Sequence, residues 1–184
     1  MHNCNSYRHI NRTCYNLPRM LDLRFPTALQ AMLSLALAEE SGVSRMTSGD
    51  LAEGLGANPS LVRRLLRQLV DRGLLVSVLG KSGGVGLARP ASAISLAEIY
   101  AAATEGKPLW VPRDDIPHRC IVTSNVEAYF TELARVADEA VTGTLARSSL
   151  ADALGQLKLL ERRRGQARDA RNRQPARSAR RGGS

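Results

Sequence analysis

Apolar positions return every three or four residues through most of this chain, with one short interruption where β-branched residues crowd together. Phe25, Ala28, Leu29, Met32, Leu33 and Ala36 fall on one side of a helix over residues 25–38, which Ser41-Gly42 ends. A second helix starts at Thr47 or Ser48. Thr47 and Asp50 stand at the spacing of a capping box, and Leu51, Ala52 and Leu55 face inward. Gly56-Ala57-Asn58 turns the chain into a third helix, Asn58–Asp71, with Asn58 as the cap and Pro59 at the first helical position. Gly73 is placed as a left-handed cap after it. Leu74–Leu79 is a strand by its β-branched content, Gly80–Gly84 a turn, and Val85–Ala88 a short return strand. Ser95 caps a helix over Leu96–Thr104. A long helix over Ser124–Leu145 carries an apolar seam of Val126, Tyr129/Phe130, Leu133, Val136/Ala137, Ala140 and Leu145. Ser148 or Ser149 caps a last helix through Leu150, Leu154, Leu157 and Leu160. The expected fold is mainly α with a small β wing: a winged helix-turn-helix domain followed by a long dimerisation helix.

The third helix changes the picture from fold to chemistry. Leu61, Leu65 and Leu69, each accompanied by Val62, Leu66 or Val70, form one stripe. Ser60, Arg63, Arg64, Arg67 and Gln68 occupy the other side. A helix of this kind standing alone is more often an ordinary amphipathic helix with a solvated basic face. A short helix, a turn, a basic helix and a glycine-rich hairpin in that order point instead to DNA. The outward arginines are then expected in the major groove, with Arg63 or Arg64 on guanine edges. Thr47, Ser48, Lys81, Ser82 and the Gly83-Gly84 backbone are expected on phosphates. Two such units, joined through residues 124–145 as a homodimer, would read half-sites one or more helical turns apart.

Charge agrees with that reading. The net charge is +9, yet residues 20–160 are about neutral. Residues 56–90 hold Arg63, Arg64, Arg67, Arg72, Lys81 and Arg89 against Asp71 alone. Residues 162–184 hold nine arginines against Asp169. The expected organisation is a disordered extension at 1–19, with Met20 a candidate start, and a winged helix-turn-helix domain at 20–92. A helix and sensor-type loop at 93–123, dimerisation helices at 124–160 and a disordered Arg-rich tail at 161–184 complete it. A tail of that kind adds salt-sensitive affinity without sequence information. A nonspecific, tail-driven nucleic-acid-binding protein is therefore the competing reading.

The three cysteines, Cys4, Cys14 and Cys120, form no disulfide framework, and Cys4 and Cys14 with His2 and His9 fit no metal-ligand spacing. No apolar run is long enough to span a membrane, and the N-terminus lacks a signal-peptide core. A cytoplasmic location is expected. Catalysis is not: Cys120 and His118 lie two apart in a proline-rich loop with no third group to orient them. Cys120 follows His118-Arg119, which could lower its thiol pKa, so it is a candidate redox or electrophile sensor. The alternative is a buried structural cysteine at the start of the dimer helix.

Several short motifs carry a family resemblance. They are Ala31-Met32-Leu33, Leu51-Ala52, Leu65–Leu75 ending in Arg-Gly-Leu-Leu, the wing Gly80-x-x-Gly83-Gly84-x-x-Leu87-Ala88-Arg89-Pro90, and Ile94-Ser95-Leu96. Through them, residues 20–160 resemble the IscR/NsrR/CymR-type winged-helix regulators of bacteria. The resemblance implies a dimeric regulator that binds palindromic operators, with long helices crossing between subunits; a repressor is expected. Several members of that group sense through an iron–sulfur cluster held by three cysteines in the loop before the long helix. Here only Cys120 lies between Gly106 and Ser124, too few for a cluster that needs four ligands, so no cofactor is expected. Asn58-Pro59-x-x-Val62-Arg63-Arg64 and Cys120-x-Val122 look like the branch without the triad. Val85 stands where the group often has an aromatic residue and Leu79 where it often has a base. The group often carries an acid near Arg63. No effector follows from these residues.

Overall fold

The computed structural model describes residues 22–80, 83–111 and 120–172, with side chains through residue 168. The element order is α1 (Arg24–Glu40), α2 (Ser48–Gly54), α3 (Pro59–Asp71), β1 (Leu75–Val78), β2 (Gly84–Leu87), α4 (Leu96–Thr104), α5 (Ile121–Leu145) and α6 (Leu150–Asn172). A single 3₁₀ turn at Ala91–Ala93 leads into α4.

Local chemistry sets the ends of these elements. Thr47 accepts from the Asp50 N–H at 3.1 Å, and the Asp50 carboxylate accepts from the Thr47 N–H at 3.3 Å, which closes the capping box of α2. Ser95 with Glu98 and Ser149 with Asp152 close the same box on α4 and α6. Gly73 follows α3 with φ of +68°, where a side chain would be strained. Its neighbour Leu74 donates back to Leu69 O at 2.9 Å, which seals the helix end and aims the chain into the wing.

One core holds the domain. Met32, Leu35, Leu51, Val62, Leu65, Leu69, Leu74 and Ile99 are all buried in it, drawn from α1, α2, α3, the wing root and α4. Removing Leu or Ile side chains from such sites costs about 2–5 kcal/mol. Leu150 and Leu154 of α6 are buried in the same core. The Leu150 N–H donates to Ile94 O at 2.8 Å and the Leu96 N–H to Ser148 O at 3.0 Å. The first two turns of α6 therefore pack back onto the winged domain. Helix α6 also runs on through residues 161–172, which composition alone assigned to a disordered tail. The expected N-terminal extension and residues 173–184 lie outside the described residues.

Helix α5 leaves the domain as a long arm, touching it through α4. Of its residues only Ala134 is buried. The Tyr100 hydroxyl donates to Asp138 at 3.3 Å, and Phe130 sits against Trp110 with ring centroids 6.2 Å apart. The single seam expected from sequence is thus two faces. Phe130, Ala134 and Asp138 point inward. Tyr129, Leu133 and Val136 point outward and are 70%, 43% and 49% exposed.

The wing is an antiparallel pair with Leu75 opposite Leu87 and Val78 opposite Gly84. A third segment joins it. Met46 and Val85 exchange two backbone hydrogen bonds, at 3.0 and 2.9 Å, so the chain between α1 and α2 lies along the wing. This explains two glycines. A Cβ on Gly84 would stand 2.7 Å from Met46 O, and one on Gly86 would stand 2.4 Å from Ser44 O. The space beside both glycines is filled by the protein's own backbone. Gly86→Ala is expected to lower stability by about 1–3 kcal/mol, because the backbone of residues 44–46 must move. Thermal unfolding measures it, and an unchanged melting temperature would contradict the three-segment arrangement.

Candidate nucleic-acid interface

The interface is built on α3. The Asn58 side chain accepts from the N–H groups of Ser60 at 2.8 Å and Leu61 at 3.4 Å, and Pro59 occupies the first turn. Val62, Leu65, Leu66 and Leu69 are buried, which fixes the rotation of the helix. Arg63, Arg64 and Arg67 are therefore exposed.

A groove runs beside this helix, and its lining brings together most of the expected site. Thr47 and Ser48 come from the start of α2, Arg63 and Arg67 from α3, and Gly83 and Gly84 from the wing. Arg67 lies 4.0 Å from Asp71 with both side chains mostly exposed, a contact too weak to hold the guanidinium in place. Pro59 and Ser60 are exposed at the entrance of α3 but do not line the groove. Lys81 and Ser82 lie outside the described residues.

Arg64 belongs to the other edge of α3. Its charge reaches Asp22 and Glu105. The Asp22 carboxyl is held below the usual carboxylate range chiefly by its hydrogen bond from Arg24, and Glu105 chiefly by Lys107, with Arg64 adding to both. So Arg63 and Arg67 share the groove with the wing, whereas Arg64 does not line it and lies on the edge nearer Asp22 and Glu105.

Two further expectations change. The Gly83 N–H donates to Gly80 O at 2.9 Å and closes the turn, so it is engaged within the hairpin. Arg89, counted in the basic patch, donates to Glu98 at 2.5 Å and to Ala93 O at 2.9 Å, pinning the wing root to α4. The segment 44–46 was missed altogether. A single bridge at Met46 is too short to leave an alternating pattern in the sequence.

Cys120 caps the N-terminus of α5 and is exposed. The buried alternative is therefore corrected. Thr123 donates to its sulfur at 3.5 Å, and this bond first, then the N–H groups of Thr123 and Val122, hold the thiol below its ordinary pKa.

A short helix, a turn, a cationic helix and a two-stranded wing meeting on one groove define a winged helix-turn-helix DNA-binding protein of the transcription-regulator class. The sequence profile of the Rrf2 family, described as "Iron-dependent Transcriptional regulator", matches residues 21–156. The chain belongs to that family. The candidate helix-turn-helix regulator YwnA of Bacillus subtilis is 25% identical over 138 residues, 75% of this chain and 99% of its own length. The regulator IscR of Escherichia coli is 36% identical over 78 residues, 42% of this chain and 47% of IscR, so the match spans about half of that relative. Among solved structures, a candidate transcriptional regulator from Lactobacillus plantarum superimposes with a TM-score of 0.62 at 22% identity, covering 79% of this chain and 99% of that one. CymR of B. subtilis, described as its global cysteine regulator, gives a TM-score of 0.54 at 22% identity, covering 74% and 96%. These relatives are transcriptional regulators, not enzymes.

The donor set does not fit an iron–sulfur cluster. Cys120 is the one thiol between residues 106 and 124, and it is bound up in the cap of α5. Among the described residues no group of three or more His, Cys, Asp or Glu stands together as a metal site. No described helix is long and apolar enough to cross a membrane.

Proposed function

We propose that this protein is a homodimeric, sequence-specific repressor that acts in the cytoplasm on a palindromic duplex operator, with α3 in the major groove and the wing alongside. The observation that carries the proposal is the shared groove of Thr47, Ser48, Arg63, Arg67, Gly83 and Gly84. Its chemistry suits a duplex: guanidinium forks, hydroxyls and backbone line one groove. Arg63 and Arg67 meet base edges. Thr47 and Ser48 hold a phosphate. Lys81 and Ser82, between the two wing strands in sequence, add phosphate contacts. Pairing rests on the outward face of α5, where Tyr129, Leu133 and Val136 are exposed at alternating spacings of four and three.

The experiment compares the full chain with one lacking residues 161–184, each titrated with a duplex enriched from a random pool and with its scrambled form. A specific regulator keeps its preference for the enriched duplex after the deletion. A tail-driven binder loses binding to both alike.

A sensing role for Cys120 has its own support, in an exposed, pKa-lowered thiol at the start of the pairing helix. Hydrogen peroxide would oxidise this thiolate to the sulfenic acid and be reduced to water. The expected result is that peroxide weakens DNA binding by the native chain and leaves Cys120→Ser bound. Equal release of both proteins would end the sensing role.

A further inference from the structure

The described part of the arginine-rich segment is helical, and it has a definite place. Helix α6 is held against α1 by the buried Leu154 and by an ion pair between Lys158 and Glu40. Leu154, Leu157, Glu161 and Arg164 follow one another at spacings of three and four, so they form one stripe of α6, and all of them line a groove shared with Gly54 and Leu55. Gly54 and Leu55 are the end of α2 and the start of the turn into α3. The next position on the stripe is Arg168, also exposed. Arg162 and Arg163 lie off this stripe and do not line the groove.

This puts Arg164 at a second flank of the helix-turn-helix, by the end of α2, with Arg168 one turn further along the stripe. Helix α2 connects the two flanks. Thr47 and Ser48 at its beginning line the wing groove, and Gly54 at its end lines the groove with Arg164. Seven residues of helix span about 10 Å. Duplex DNA carries a charge about every 1.7 Å of axis, so several phosphates pass within that distance.

We propose that the end of α6 is a second DNA-backbone contact, in which Arg164 and Arg168 meet phosphates beyond the half-site that α3 reads. The proposal rests on the regulator reading above and deepens it: the arginines grip a fixed position on the same duplex. Charge complementarity selects the partner. Residues 161–168 carry four arginines against Glu161, and the helix end beyond the groove presents no apolar stripe that a protein partner would cover.

The test uses the full chain and two double variants of equal charge change, Arg164→Gln/Arg168→Gln and Arg162→Gln/Arg163→Gln. Glutamine keeps the helix propensity of arginine, and circular dichroism checks that both fold. Each is titrated against two duplexes that carry the same pool-enriched operator, one with long flanks and one trimmed to the operator. For the long duplex, the Arg164/Arg168 variant is expected to lose affinity and to show a salt slope shallower by about two per subunit. The Arg162/Arg163 variant is expected to match the native chain. On the trimmed duplex all three proteins should converge. Equal losses from both variants, or no loss from either, would overturn the proposal while leaving operator preference intact. Failure of the native chain to prefer operator over scrambled duplex would instead overturn the regulator reading beneath it.

Discussion

Arg63→Ala is expected to flatten the protein's choice between operator and scrambled duplex, and Arg64→Ala is expected to do so far less. A guanidinium that forks onto a guanine edge contributes about 1–3 kcal/mol of discrimination. Each 1.4 kcal/mol is a factor of ten, so one such contact in each half-site gives a combined loss on the order of 10²-fold or more. Arg63 is the candidate because it shares its groove with Thr47, Ser48 and the wing, and no acid of the described residues pairs with it. Arg64 points to the edge where Asp22 and Glu105 stand, and its charge is already balanced in part by them. Competition titration of the enriched duplex against its scrambled form gives the ratio directly. If Arg63→Ala weakened both duplexes by the same factor, Arg63 would be a phosphate contact and base reading would have to be sought elsewhere on α3.

The second large effect concerns pairing. Leu133→Glu places a carboxylate in the middle of the outward face of α5, between Tyr129 and Val136, all three exposed in the single chain. Burying an unpaired charge across a dimer interface is prohibitive, so the variant is expected to sediment as one subunit. Its operator affinity should then fall by about 10²–10⁴-fold, the usual gain from linking two binding units. Affinity for a single half-site should be nearly unchanged. Ala128→Glu is the control. It lies among Glu132, Arg135 and Glu139 on the polar side of α5, where the ion pairs of Arg135 are already exposed. The control should remain paired and bind as the native chain does. A Leu133→Glu protein that still paired would move the interface away from this face.

The order of elements, the caps at Thr47, Asn58 and Ser95 and the left-handed Gly73 were all legible, because each depends on a few adjacent residues with strong local preferences. Much of the site was legible for the same reason: an amphipathic helix announces which side is buried, and α3 does so clearly. What could not be read depends on contacts between distant segments. Nothing near Ser44 marks its carbonyl as the neighbour of Gly86, and a bridge of one residue leaves no period. Helical spacing placed Arg63 and Arg64 together, but only the packing of α3 on α4 brings Glu105 to one of them. Composition read the arginines after Glu161 as disorder, whereas the Leu154–Lys158 anchor in α6 carries the helix on through them. On α5 the two stripes lie close enough on the helix wheel to merge into one seam until Tyr100 and Trp110 claim the inner one.

The proposed regulator reads DNA in pairs, through α3 and the wing of each subunit. Selection of bound duplexes from a random pool by the purified full chain tests it most directly, run beside the Arg63→Ala/Arg67→Ala variant. The native chain should enrich an inverted repeat whose half-sites lie about one helical turn or a multiple apart, roughly 34–36 Å per turn, and the variant should enrich no repeat. A native chain that enriched a single unrepeated site, or a variant that enriched the same inverted repeat, would contradict it.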